Sequence, residues 1–186
     1  MKKMLFAAVL LIVNTVAFAN ATTDFLKTVE GTVRRGNLHI VYDDANPKVR
    51  WNGVETFEQF KKRCSGKPTI GYGFTSKKLV EKCFITQKEA DAELKRLEKL
   101  CRARLYKSVK VRLNSNQETA LIAFIYNVGG ANFAKSTLVK KVNRNDFAGA
   151  SIEFGKWKYT TVSGKKVVSR GLVNRRNLER TKFMCK

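Results

Sequence analysis

Glu30 and Asp44 are the acidic side chains best placed to do chemistry, because they fall where a first helix gives way to a sheet. Most other acids have simpler roles. Glu89 and Glu118 lie at helix starts, and Glu81, Glu93 and Glu98 lie among lysines and arginines on solvated faces. The chain carries no glycine-rich phosphate loop, no serine or cysteine nucleophile motif and no cluster of metal ligands, so a hydrolase built from it would work with carboxylates. A pair can do so when one protonated carboxyl delivers its proton to a leaving oxygen and an ionised one acts from the other side of the substrate.

The elements that must position these groups can be read from pattern. Phe25, Leu26 and Val29 recur at helical spacing in DFLKTVE, residues 24–30, so Glu30 closes a first helix just before Gly31 at its C-cap. HIVYDD at 39–44 and TIGYGFT at 69–75 are rich in β-branched and aromatic residues and predict a small antiparallel sheet. Between them, residues 45–68 form a polar stretch with one short helix. Its signals are the capping box Thr56-Phe-Glu-Gln59 and a face of Phe57, Phe60 and Cys64. Those aromatics read as packing, whereas Trp51 lies outside the pattern and is a candidate sugar-stacking platform. Tyr42 and Tyr72 join it as candidate substrate contacts. From residue 86 onward the chain reads as helical, with capping boxes at Thr86–Glu89 and Ser115–Glu118. The apolar run TALIAFIYNVGG predicts a buried central helix, followed by short helices over Ser136–Val142, Asp146–Trp157 and Leu172–Phe183.

At 186 residues the chain fits one domain with a substantial core. The N-terminal MKKMLFAAVLLIVNTVAFANA combines Lys2 and Lys3, an apolar run and an A-x-A pattern ending at Ala19 or Ala21, and reads as a secretory signal over residues 1–21. The run from Met4 to Ala19 is shorter than a comfortable span of about 20 residues, so a stable membrane span is not expected. A signal anchor is the weaker reading. Cys64, Cys83, Cys101 and Cys185 are even in number in a chain read as exported, to the periplasm or beyond, and predict two disulfides. Three pairings are open. Their wide spacing and a single histidine, His39, argue against metal, and no cofactor is expected. A net charge of +22 predicts an anionic partner, and export points to cell-envelope polymers rather than a specific nucleic acid. Arg170, Arg175, Arg176 and Arg180 read as a structural or surface-basic face, and His39 as a sheet residue with no role in proton transfer.

V-E-G at 29–31, Y-D-D at 42–44 and T-I-G-Y-G at 69–73 together resemble the catalytic signature of the phage lysozymes and lambdoid endolysins. ALIAFIYNVGGANFAKSTLVKKVN at 120–143, W-x-Y at 157–159 and GLVNRRNLE at 171–179 are similar to that family's helical lobe. The resemblance covers the chain from about Asp24 to its end. It implies an α+β lysozyme-like fold, with a small antiparallel sheet lobe, a larger all-helical lobe and a cleft between them. Residues 22–186 would be the catalytic domain, with 45–68 as an inserted sub-lobe.

For the site, the resemblance implies Glu30 as general acid, the aspartate of the Tyr-x-Asp pattern as second carboxylate and Thr69 beside it. Asp44 fits that pattern, and strand alternation puts Tyr42 and Asp44 on one face with Asp43 on the other. Asp43 is the alternative. The implied reaction is hydrolysis of the β-1,4 bond between N-acetylmuramic acid and N-acetylglucosamine in peptidoglycan by a monomeric enzyme. Thr69 would help Asp44 place the attacking water in an inverting mechanism. Inversion needs a carboxyl separation of about 6.5 to 9.5 Å, against about 5 to 5.5 Å for retention. A lytic transglycosylase and a non-enzymatic cationic wall-binding protein are the competing readings. The chain departs from the family in its long intervals, thirteen residues (31–43) from Glu30 to Asp44 and twenty-four (45–68) from Asp44 to Thr69. It also has Phe74 where the family's histidine follows the glycine-rich block.

Overall fold

A computed structural model describes residues 20–162 and 164–185. Nearly all of the expected secretory segment therefore lies outside the described residues. The chain divides into two compact units, Leu26–Arg96 and Leu97–Lys186 with the residues before Leu26.

In the Leu26–Arg96 unit, helix α1 (20–30) ends at Glu30, where Gly31 takes a φ of +63° and its N–H donates to the Lys27 carbonyl. The chain then forms β1 (Arg34–Arg35) and β2 (Leu38–Ile40), and β5 (Phe84–Thr86) completes an antiparallel sheet in the order β1-β2-β5. HIVYDD does not run as one strand. Val41 leaves β2, and β3 (Tyr42–Asp43) pairs instead with β4 (Pro68–Thr69). Asp43 N–H donates to the Val49 carbonyl, Trp51 N–H donates to the Val41 carbonyl and Arg50 bridges Tyr42, so part of the long 45–68 interval runs antiparallel along β3. The rest carries α2 (Phe57–Lys62), opened by the Thr56/Gln59 capping box. A short helix, α3 (Lys77–Val80), leads to β5. Leu26, Ile40, Val41, Phe60, Ile70, Phe74 and Ile85 are buried and form the core of this unit. Phe74, standing where a polar histidine would be usual, is 2% exposed and packs edge-on to Tyr72.

Helix α4 (Gln87–Ser108) starts at the expected box: Thr86 Oγ1 accepts from Glu89 N–H, while the Glu89 carboxylate accepts from Thr86 N–H. Hydrogen bonds from the Lys82 ammonium and from Thr86 hold the Glu89 carboxyl down to about 2.

In the other unit, α5 (Ser115–Val128) is the buried central helix that the apolar run predicts. Its cap sits one residue earlier than expected, with Asn114 and Gln117 forming the box, because asparagine offers the same acceptor at the same spacing. Then come α6 (Gly130–Lys135), α7 (Thr137–Val142), α8 (Phe147–Glu153), a 3-10 turn (Phe154–Lys156) and α9 (Arg170–Met184). Phe124 centres the core, with Phe133, Phe154 and Trp157 edge-on around it. A hairpin of β6 (Tyr159–Val162) and β7 (Lys165–Val168), exposed along its length, separates the last helices where no strand was expected.

One expectation is corrected here. No disulfide joins the described residues: Cys64, Cys83 and Cys185 carry free thiols, each directed at a backbone carbonyl of its own segment. An even cysteine count says nothing about whether two Cβ atoms come within bonding reach. Burial pushes the Cys64 and Cys83 thiols up, keeping both protonated. The arginine cluster also divides. Arg170 and Arg180 are exposed, but Arg175 and Arg176 are buried against α5, donating to the Ala123 carbonyl and to Asn127 and paired with buried Glu179.

Candidate active site

Glu30, Asp44 and Thr69 all belong to the Leu26–Arg96 unit. Helix α1 carries Glu30 to its last turn, where the side chain is half-buried and Oε1 is screened from solvent. The T-I-G-Y-G turn meets it there. A Cβ built on Gly73 would stand 3.0 Å from Glu30 Oε2, and Gly73 has φ +82°, so glycine is needed both for conformation and for space.

Asp43 and Asp44 are adjacent in sequence and opposite in setting. Asp43 is fully buried and accepts from Ala45 N–H (3.1 Å), Ser65 N–H (2.8 Å), Ser65 Oγ (3.0 Å) and Gly66 N–H (2.9 Å). Burial alone would push its carboxyl up, yet these four donors hold it below the usual range. Asp43 thus pins the returning 65–66 segment. Asp44 is exposed, with Oδ1 accepting from Lys67 N–H at 2.6 Å and its own N–H donating to the Lys67 carbonyl at 3.2 Å. Among the described residues, its other carboxylate oxygen has no hydrogen-bond donor.

Thr69 lies directly opposite Tyr42 in the β3–β4 register. It is 4% exposed, and its hydroxyl donates to the Lys67 carbonyl at 3.0 Å. The backbone of one residue, Lys67, therefore holds both Asp44 and Thr69. With its proton committed, the Thr69 oxygen retains lone pairs that can accept from a water. Burial pushes the Tyr42 phenol up, and the negative charges of Glu30 and Asp44 push it further.

The remaining expected contacts fare differently. Tyr42 is half-buried. Tyr72 is 4% exposed, edge-on to His39 and Phe74, with its hydroxyl accepting from Gln87 Nε2 at 3.1 Å. This corrects its reading as a sugar contact, since the hydrophobic turn that carries it is packed into the core. Trp51 is half-buried, stacked on Phe84 at 5.5 Å and donating from Nε1 to the Glu55 carbonyl. Its indole edge is thus already used.

Sequence reading missed a buried polar network behind the site. His39 is 0% exposed; Thr32 Oγ1 lies 2.6 Å from its Nδ1 and Gln87 Oε1 lies 3.1 Å from its Nε2. Gln87 Nε2 donates to Tyr72 and to Asp91, whose carboxylate pairs with Lys27. Since the Gln87 amide nitrogen is donating, its oxygen accepts, and His39 carries its proton on Nε2 while Nδ1 accepts from Thr32. The network ties the residue two beyond Glu30 to the turn that touches its carboxylate. Only the histidine's solitude in the sequence hinted at it. Among the described residues, no group of three or more His, Cys, Asp and Glu converges to hold a metal.

One unit of small antiparallel sheets and one predominantly helical unit, with a helix-end glutamate against a glycine-rich turn in the first, define the lysozyme-like α+β class. The phage lysozyme family profile matches residues 50–179, a span that begins after Glu30 and Asp44. An endolysin of Acyrthosiphon pisum secondary endosymbiont phage 1 is 39% identical over 119 residues, covering 64% of this chain and 81% of the relative. A SAR-endolysin of Pseudomonas phage phiKMV is 38% identical over 117 residues, covering 62% and 67%. The structure of an endolysin from Escherichia coli O157:H7 phage FAHEc1 superposes with a TM-score of 0.70 at 28% identity, over 88% of this chain and 90% of that one. The muramidase domain of SpmX from Asticaccaulis excentricus shares the fold, with a TM-score of 0.68 at 23% identity over 89% and 96%. The chain belongs to the phage lysozyme family and is a glycoside hydrolase. Among the described residues, no helix is long and apolar enough to cross a membrane.

Proposed function

We propose that the protein is an exported, monomeric muramidase that hydrolyses the β-1,4 bond between N-acetylmuramic acid and N-acetylglucosamine in peptidoglycan. Glu30 is the general acid, Asp44 the second carboxylate and Thr69 the hydroxyl that helps Asp44 hold the attacking water, in an inverting reaction. The observation that carries this reading is that the backbone of Lys67 holds both Asp44 and Thr69, while Gly73, in the turn just after Thr69, lies against the Glu30 carboxylate. The contrast between the aspartates supports the assignment. Asp43 has four donors and no exposure, whereas Asp44 keeps an oxygen open to solvent for a water. Net charge of +22 favours encounter with anionic envelope polymers, an attraction that salt weakens.

Digestion of purified peptidoglycan by the wild type and by Glu30→Gln tests the proposal. The variant should stay folded and lose at least about 10²-fold in rate, the typical share of a general acid. Mass spectrometry should find reducing ends. Anhydro-muropeptides would replace hydrolysis by transglycosylation, and undiminished turbidity loss by Glu30→Gln would remove Glu30 from the mechanism. Killing that persists without both carboxylates and disappears in high salt would leave the charge alone as the active principle.

A further inference from the structure

A depression of about 370 Å³ in the Leu26–Arg96 unit is lined by Arg34, Arg35, Ile40, Arg50, Trp51 and Asn52. Three arginines line it, and among the described residues none of the three is ion-paired with a carboxylate, although the same unit pairs Lys27, Arg63 and Lys82 with acids. A merely solvated basic face would leave its arginines loose. Here two are fixed. Arg34 donates from Nη2 to Gln87 Oε1, and Arg35 donates from Nη1 to the Asn52 carbonyl at 2.5 Å. Gly53, at φ +103°, makes room for the second: a Cβ there would fall 1.7 Å from Arg35 Nη1. Each fixed guanidinium keeps further N–H groups, and the planar fork suits an oxyanion.

The depression also has a defined relation to the candidate active site. Arg50 bridges Tyr42 on one edge of β3, and Thr69 pairs with the same Tyr42 on the other. Residues directly opposite across antiparallel strands put their side chains on the same face. Arg50 and Thr69 therefore share a face, two strand spacings of about 4.8 Å apart. A polymer lying along Thr69 would bring its own branches to Arg50.

We infer that Arg34, Arg35 and Arg50 form a subsite for the carboxylates of the peptide branches borne by the glycan substrate. The inference rests on the peptidoglycan reading for its choice of polymer. A carboxylate on a branch is favoured over a phosphate on a separate polymer because Arg50 lies across β3 from Thr69, where the cleaved chain itself must present the charge. The three arginines would then select peptide-bearing glycan and set its register.

Titration of the full-length protein with a soluble stem peptide, L-Ala-γ-D-Glu-L-Lys-D-Ala, tests this without hydrolysis. Binding is followed by calorimetry at low salt and compared with the same peptide amidated at its carboxylates and with a glycerol phosphate oligomer. The free-acid peptide should bind at least tenfold more tightly than the amidated one and more tightly than the oligomer. Arg50→Gln and Arg35→Gln should each weaken it at least fivefold, whereas Lys165→Gln/Lys166→Gln, which lowers the net charge further, should change it less than twofold. Arg50→Gln decides the matter should Arg35→Gln fail to fold, because among the described residues Arg50 is hydrogen-bonded only through its backbone, with its carbonyl accepting from Arg63. Equal binding of the amidated peptide, preference for the phosphate oligomer, or equal loss in the lysine variant would overturn the subsite. Glu30→Gln remaining fully lytic while the peptide still binds would sink the catalytic reading and spare the subsite.

Discussion

Gly73 leaves its α-carbon bare against the carboxylate of Glu30, with a Cβ at that position falling 3.0 Å from Oε2. The turn that returns from β4 thus sets the position of the residue proposed as acid. Gly73→Ala should lose about 1 to 3 kcal/mol, the range for a non-glycine residue held at φ +82°. It should also displace Glu30. Thermal unfolding and turbidity loss, measured together, should show a rate decrease that persists at temperatures where the variant is fully folded.

The two neighbouring aspartates should separate cleanly. Asp44→Asn should abolish hydrolysis with little change in melting temperature, because the side chain is exposed and an amide oxygen can still accept from Lys67 N–H. Asp43→Ala should destabilise by at least about 1 to 3 kcal/mol, the cost of stranding buried donors, since three backbone N–H groups and Ser65 Oγ lose their acceptor. A variant pair with the opposite pattern would exchange the two roles.

Thr69→Val removes a hydroxyl whose proton is already committed to Lys67 O. Loss of one hydrogen bond to the attacking water, worth about 1 kcal/mol, should lower kcat by about fivefold with KM little changed. Thr69→Ser should restore most of the rate, and a valine variant with unaltered kcat would take Thr69 out of the reaction.

Stability should depend on pH through His39, the sole histidine. Burial pushes its pKa down, against the opposing pull of the hydrogen bond to Gln87. The unfolded chain, at about 6.5, therefore takes up the proton before the native one does. The contribution is complete above about pH 6.5 and is lost as pH falls from there through the lower folded value. Urea unfolding at pH 7.5 and 5.5 should show the decrease, and His39→Gln should flatten it across that window.

Arg176 is 1% exposed, paired with Glu179, donating to Asn127 and lying 4.8 Å from the Phe124 ring centroid. Arg176→Ala should cost about 3 to 5 kcal/mol by leaving a buried glutamate charge without that partner. Denaturant unfolding measures it, and a loss below about 1 kcal/mol would mean that water replaces the guanidinium.

Local pattern made much of this legible. The end of α1 at Glu30, the Thr56 and Thr86 caps and the burial of α5 each depend on a few neighbouring residues, and each stands as read, whereas the α5 cap moved by one because Asn114 and Ser115 are both competent. HIVYDD, by contrast, reads as one strand but serves two sheets. Val41 crosses between them because β2 and β3 have different partners, β5 and β4, which lie far along the chain. The β6–β7 hairpin escaped notice because its alternation of threonine, valine and lysine faces solvent on both sides and marks no buried face.

Sequence by itself determined which residue types were available at the site and in what order, since the family signature is a matter of spacing between a helix-end glutamate, a strand aspartate and a glycine-rich turn. Only the tertiary structure decided what each one does there. Asp43 is enclosed by Ser65 and Gly66, Asp44 is left open, Tyr72 is taken into the core, and cysteines even in number stay apart. These outcomes depend on donors and packing surfaces brought from twenty or more residues away. Local preference carries no information about such partners until the chain has closed on itself.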